Sequence, residues 1–177
     1  MRTLVLGGIR SGKSRWAELA IAEEVDLDES VRYLATGAEG ESDPSWAQRI
    51  AEHRARRPQH WSTIETVELA SQLRDVPAPP TLIDDLGGWL TAALDRRGWD
   101  SGSVRGDVDE LVGAVSEFGS PLVIVSPEVG LTVVPATESG GRFADELGEL
   151  NQRLADLSDR VALVVAGQAV TVKDFNR

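Results

Sequence analysis

The sequence predicts an α/β fold, a mostly parallel central sheet flanked by helices, and three observations carry that prediction. Short apolar runs alternate with stretches of helical periodicity, the pattern left by strand–helix units wound into one sheet. The runs LVIV and VALVV are apolar at every position. A strand covered on both faces shows this, whereas a half-exposed strand alternates. A glycine-rich segment, GGIRSGKS, joins the first apolar run to the first helical pattern.

Taken in order, TLVL at 3–6 reads as the first strand and 13–24 as the first helix, with Trp16, Leu19 and Ala20 at helical spacing. VRYLAT at 31–36 is the second strand. A helix follows at 44–57, its apolar stripe marked by Trp46 and Ile50, and another at 66–74. VPAPP at 76–80 is a short rigid connection into the strand TLID at 81–84. Helices at 87–97 and 107–118 flank RGWDSGSVRGD, which reads as a flexible loop. PLVIV at 121–125, a helix at 142–157 and RVALVVAG at 160–167 complete the alternation, and TVKDFNR is either a final edge strand or a frayed tail. No repeat or low-complexity tract interrupts the 177 residues, a length that fits one domain over 1–177 with its own core.

The chemistry begins in the loop after the first strand. Gly7, Gly8, Ile9, Arg10, Ser11, Gly12, Lys13 and Ser14 have the P-loop spacing, in which backbone N–H groups wrap a phosphate at the start of a helix. Lys13 would add a point charge near the β/γ-phosphates, and the Ser14 hydroxyl would complete the shell of a Mg²⁺ ion. A glycine-rich turn that merely caps a helix does not need the Lys-Ser pair. Lys13 and Lys173 are the only lysines in a chain that otherwise takes its positive charge from arginine. This narrows the fold to a P-loop NTPase-like, RecA-like domain.

In such sheets ligands lie beyond the carboxyl ends of the strands, here Gly7, Thr36, Asp84, Ser126 and Gly167. Asp84, with Asp85 beside it, either holds Mg²⁺ directly or through water, or caps the helix that follows.

A net charge of −11 argues against broad nucleic-acid binding, so an anionic ligand needs a local basic site. Two such places exist: the P-loop with Arg10, Lys13 and Arg15, and RIAEHRARRP, where Arg49, Arg54, Arg56 and Arg57 crowd around His53. The absence of cysteine excludes disulfides, thiolate metal sites and a cysteine nucleophile, and makes the cytoplasm the expected compartment. No apolar run approaches the ~18 residues of a membrane span, and a strand beginning at residue 3 leaves no room for a signal peptide.

His53 and His60 are the only histidines. By pattern alone His53 is either a half-covered boundary residue on the apolar stripe or a nucleophile, since neighbouring guanidinium groups favour the neutral imidazole and supply planar donors to the phosphate it would attack.

Assembled in order, GGIRSGKSRWAE, YLAT, RIAEHRARRPQHW, LIDDLGGWL, VSPEVG with VVP, and RFADELGELNQRLA resemble the bifunctional adenosylcobinamide kinase/adenosylcobinamide-phosphate guanylyltransferases of cobalamin synthesis. The resemblance runs from residue 2 to about 173. It implies a nucleotide-binding loop at Gly7 to Ser14, a second strand-end contact at Ala35, Thr36 and Gly37, and a covalent GMP on His53. It further implies guanine-nucleotide contacts from Arg54, Ala55, Arg56 and Arg57, and acidic positions Glu65 and Asp84 near the same nucleotide. His60 matches a histidine that is not nucleotidylated and braces a turn. Three positions depart from the family pattern: Pro127, where asparagine is usual, Thr132 in place of a glycine, and Gly87 in place of a polar residue.

The resemblance implies an enzyme that phosphorylates adenosylcobinamide with ATP or GTP and then transfers GMP from GTP to the product, with Mg²⁺ as cofactor, a corrinoid and nucleoside triphosphates as partners, and a ring-like homo-oligomer. Two other readings use the same loop: a single-activity P-loop kinase, and a nucleotide-operated switch with no catalytic role. His53 discriminates, since neither has use for a nucleophile there.

Overall fold

A computed structural model of the chain describes residues 1–36, 57–131, 133 and 135–175. The elements in chain order are β1 (Arg2–Gly7), α1 (Lys13–Ala22), β2 (Arg32–Ala35), β3 (Ser62–Glu65), α2 (Leu69–Arg74), β4 (Thr81–Asp84), α3 (Leu86–Arg97), α4 (Arg105–Glu117), β5 (Leu122–Pro127), α5 (Glu138–Leu157), β6 (Arg160–Val165) and β7 (Gln168–Asp174). The helix expected at 44–57 falls, but for its last residue, outside the described residues, as does Thr132.

The strands form one sheet in the order β3-β2-β4-β5-β1-β6-β7. Every pairing is parallel except β6 with β7. This is the expected α/β sheet, and the apolar strands behave as a two-sided cover requires. Successive side chains point to opposite faces, so Leu4, Leu34, Ile83 and Ile124 enter a core with α2, α3, α4 and α5. Their neighbours Val5, Tyr33, Leu82, Val123 and Val125 enter a second core with Ala17 and Ile21 of α1 and with Trp61.

Four details differ from the sequence expectation. In α1 the buried face is Ala17, Glu18, Ala20 and Ile21, while Leu19 is 58% exposed. Small alanines let this helix lie close on the sheet, and the bulkier Leu19 points away. β3 was not expected: STIE is a short edge strand with only Ile64 partly covered, so its residues carry no apolar run. α5 begins at Glu138, ahead of the expected 142, because the Thr137 hydroxyl accepts the Gly140 N–H at 3.1 Å and caps a first turn that contains two glycines. The loop after α3 is tethered: Arg142 donates to the carbonyls of Gly98 at 3.1 Å, Trp99 and Gly102, and Arg97 pairs with Asp107 at 2.9 and 3.1 Å. The same guanidinium holds the Asp107 carboxyl below the usual carboxylate range. The C-terminal stretch resolves in favour of the strand, as β7 pairs along β6.

Candidate active site

The parallel strands end on one edge, and the register places their last residues in a row. Ala35 pairs with both Glu65 and Asp84, and Gly7 pairs with both Pro127 and Val164. Strands lie ~4.8 Å apart, so Glu65 stands roughly 10 Å from Asp84 along this edge. Gly37, His53, Arg54, Ala55 and Arg56 lie outside the described residues.

The loop from Gly7 to Ser14 turns sharply between β1 and α1. The Ser11 N–H bonds the Gly8 carbonyl at 3.2 Å, Arg10 is held at φ 57, and Gly12 takes φ 93 immediately before the helix. A Cβ at Gly7 would sit 2.7 Å from the Val164 carbonyl oxygen, so only glycine fits there. The β6–β7 turn supports the loop from the other side through the Gly167 N–H, which bonds the Ser11 carbonyl at 2.7 Å. The N-cap residue Gly12 offers α1 no side-chain cap; the Lys13 N–H turns to the Ser11 hydroxyl oxygen at 3.4 Å, and the positive end of the helix dipole faces the loop, where it favours an anion.

The two aspartates at the end of β4 point to different partners. Asp85 is the cap, its Oδ1 accepting the Gly88 N–H at 3.1 Å. Burial and the adjacent Asp84 charge push its carboxyl upward, partly opposed by the Gly88 N–H and by Lys13. Asp84 faces the loop instead. Its Oδ1 accepts the Ser14 hydroxyl at 3.1 Å, and its Oδ2 accepts the Tyr33 hydroxyl. Tyr33 is buried, and burial together with the Asp84 charge raises its hydroxyl far above the usual range, so it stays a donor. The Arg57 guanidinium lies 3.8 Å from the centre of the Tyr33 ring and donates to Thr63 at 2.9 Å. Ser14 and Asp84 thus meet at the loop, the charge of Lys13 acts on the neighbouring Asp85, and Arg57 is joined to Asp84 through Tyr33.

A hydroxyl and a carboxylate oxygen suit a hard divalent cation. Among the described residues no group of three or more His, Asp or Glu converges on one point.

The sequence reading missed Tyr33, an aromatic in an apolar strand, and gave no role to the asparagine of GELNQRLA. Asn151 is buried on α5 and donates to the Pro127 carbonyl at 3.1 Å, fixing the end of β5 beside the loop. His60 braces its turn through the backbone: its carbonyl accepts the Ser30 hydroxyl at 2.7 Å while the residue itself is exposed.

Two of the departures from the family pattern touch. A Cβ at Gly87 would sit 2.9 Å from Pro127 Cγ. We therefore expect Gly87→Ala to lower stability by about 1–3 kcal/mol through overpacking. Adding Pro127→Ala should recover part of that loss, giving a coupling of at least ~0.5 kcal/mol in a double-mutant cycle read by urea denaturation. Additive effects would show that the two positions are independent.

The sequence model of the family described as cobinamide kinase / cobinamide phosphate guanyltransferase matches residues 3–172. The chain is 42% identical over 176 residues to the bifunctional adenosylcobalamin biosynthesis protein CobP of Pseudomonas aeruginosa, covering 98% of each. It is 34% identical over 187 residues to the bifunctional adenosylcobalamin biosynthesis protein CobU of Salmonella typhimurium, and 33% identical over 193 residues to that of Escherichia coli. In both cases 98% of this chain and 100% of the relative are covered.

Proposed function

Because the chain belongs to the cobinamide kinase / cobinamide phosphate guanyltransferase family, we propose that it carries out two successive transfers on adenosylcobinamide. In the first, the aminopropanol hydroxyl oxygen attacks the γ-phosphorus of ATP or GTP, the bond to the β-phosphate oxygen breaks, and the hydroxyl proton is released. In the second, a ring nitrogen of His53 attacks the α-phosphorus of GTP and pyrophosphate leaves. The phosphate of the corrinoid then attacks the phosphoramidate, the P–N bond breaks, and adenosylcobinamide-GDP is released. Splitting the guanylyl transfer into two displacements is the general gain of covalent catalysis.

The observation that carries this reading is the meeting of Ser14 and Asp84 at the mouth of the loop, with the N-terminal end of α1 behind them. The loop N–H groups and Lys13 would hold the γ-side phosphates in the first reaction and the departing pyrophosphate in the second. Ser14 and Asp84 would hold Mg²⁺, whose chemistry is to neutralise charge on the phosphate oxygens. Arg57, four residues after His53 and resting on Tyr33, supports a nucleotide site continuous with the loop.

Incubation with GTP labelled in its α-phosphate, followed by intact-mass measurement, tests the reading directly. A GMP adduct on the wild-type chain is expected. Tight GTP binding with slow hydrolysis and no adduct would favour the switch.

Asp84→Asn and Ser14→Ala should each raise the Mg²⁺ concentration needed for half-maximal activity, because each subtracts a charge or an oxygen from a hard cation's shell. Tyr33→Phe should raise it less, since the ring under Arg57 stays and only the hydrogen bond that aims Asp84 is lost. An unchanged Mg²⁺ dependence in Asp84→Asn would place the metal on another acid.

We also read the protein as a cytoplasmic homo-oligomer. Among the described residues no helix is long and apolar enough to cross a membrane. Val170 and Val172 of the edge strand β7, with Phe175 just after it, are 57%, 62% and 72% exposed. Light scattering should return a multiple of the 19.1 kDa chain mass; a monomer would remove this part of the reading.

A further inference from the structure

We propose that the cleft between the middle of α3, the loop after that helix and the start of α5 is the seat of the corrin ring edge. This placement rests on the function proposed above. The cleft measures about 650 Å³ and is lined by Thr91, Trp99, Asp100, Thr137, Ser139, Gly140 and Phe143. Its size is that of a small-molecule site. Its chemistry is unlike that of the nucleotide loop, because among the described residues no lysine or arginine lines it and its one charged group is a carboxylate.

What the lining suits is a large, flat, partly apolar molecule fringed with carboxamides and carrying positive charge. Trp99 and Phe143 are half-buried against the main core and present an apolar floor. The hydroxyls of Thr91, Thr137 and Ser139 can donate to or accept from amide groups, and Asp100 accepts amide N–H. A corrinoid with trivalent cobalt and one alkyl ligand has these properties: side-chain carboxamides around a planar ring and a net charge of about +1, which Asp100 in an acidic protein attracts.

The cleft is built rather than incidental. Arg142 ties the carbonyls of Gly98, Trp99 and Gly102 to α5 and so fixes the outer wall. The Trp99 indole N–H donates to Asp95 at 2.7 Å, which sets the plane of the ring.

Its distance from the end of β4 also fits. Thr91 lies six residues along from Asp85, the cap of α3, or roughly 9 Å at 1.5 Å per residue. The corrinoid arm to be phosphorylated, a propionamide extended by aminopropanol, reaches roughly 8 Å when extended at standard bond lengths. A ring edge held in the cleft therefore lets the terminal hydroxyl approach the Asp84 end of the strand row while the ring stays clear of the loop.

The test titrates adenosylcobinamide into the full-length chain and follows quenching of tryptophan fluorescence, alongside the KM for adenosylcobinamide in the kinase reaction and the Kd for GTP. Asp100→Arg and Ser139→Arg should each raise the corrinoid Kd and KM at least tenfold and leave the GTP Kd within twofold. Trp99→Ala should do the same and remove part of the quenching, with Trp99→Phe restoring the affinity. Ser139 is exposed on the first turn of α5, so its variant probes the cleft without disturbing the core, and retained GTP binding certifies the fold of each variant. Corrinoid binding that is undiminished in Asp100→Arg and Ser139→Arg overturns the placement alone. Absence of corrinoid binding to a wild-type chain that binds GTP overturns the proposed function and the placement with it.

Discussion

Lys13→Ala lowers turnover in both transfers by ~10²-fold or more, leaves the fold intact, and changes nucleotide affinity less than turnover. The expectation comes from where Lys13 sits and when its charge matters. It is the first residue of α1, directly after the left-handed Gly12, and its charge acts on Asp85 just after β4; in the proposed reading its ammonium would reach the phosphates held by the loop. In the ground state the nucleotide charge is shared among many donors. As the γ-phosphorus or the α-phosphorus is attacked, negative charge builds on the oxygens that leave with the diphosphate or pyrophosphate, and a preorganised cation beside them gains in value. A loss confined to the transition state lowers kcat and kcat/KM together. The first reaction is assayed as phosphate transferred to adenosylcobinamide, the second as GMP transferred to its phosphate, with far-UV circular dichroism as the fold control. Should both activities stay within a few-fold of wild type, the loop is not the phosphate cradle, whatever its spacing.

The loop was legible because its chemistry is local: eight consecutive residues, a strand before and a helix after, each visible in a short window. The five strands expected from apolar runs were legible for a similar reason, since a strand buried on both faces leaves an uninterrupted apolar word in the sequence. β3 was not, because an edge strand with one covered residue carries no such word. The acid pair was legible only as a pair. Whether Asp84 or Asp85 caps α3 depends on how the chain leaves β4, and the Asp85–Gly88 hydrogen bond that decides it is a product of the folded backbone. Tyr33 illustrates a different limit. Its ring belongs to the core, and nothing in YLAT announces that its hydroxyl reaches Asp84, fifty-one positions away. The cleft beyond α3 was the least legible feature of all. Its walls come from segments some forty residues apart, and Arg142, which fixes one wall, reads in the sequence as an ordinary surface charge.

The largest qualitative effect is expected from His53→Ala: covalent GMP and guanylyl transfer are abolished, while part of the kinase activity survives. The two reactions differ in what attacks phosphorus. Phosphoryl transfer from a P-loop donor to a hydroxyl needs positioning and charge neutralisation, which in the proposed reading the loop, Lys13 and the Ser14–Asp84 pair would supply without a protein nucleophile. Guanylyl transfer through an intermediate needs a nitrogen that is neutral when it attacks, and the arginines that the sequence places after His53, at 54, 56 and 57, would both disfavour the imidazolium and supply donors for the phosphate under attack. The adduct itself is diagnostic: a phosphoramidate is lost in acid and persists in alkali, unlike a serine phosphoester. His60→Ala should keep the adduct, because the structural contribution of that residue is its backbone carbonyl, which alanine retains. Mass-mapped peptides from GTP-treated protein decide the matter. GMP found on His60, or on neither histidine, would break the assignment at its central position, and equal loss of both activities in His53→Ala would mean that the residue shapes the shared nucleotide site rather than attacking phosphorus.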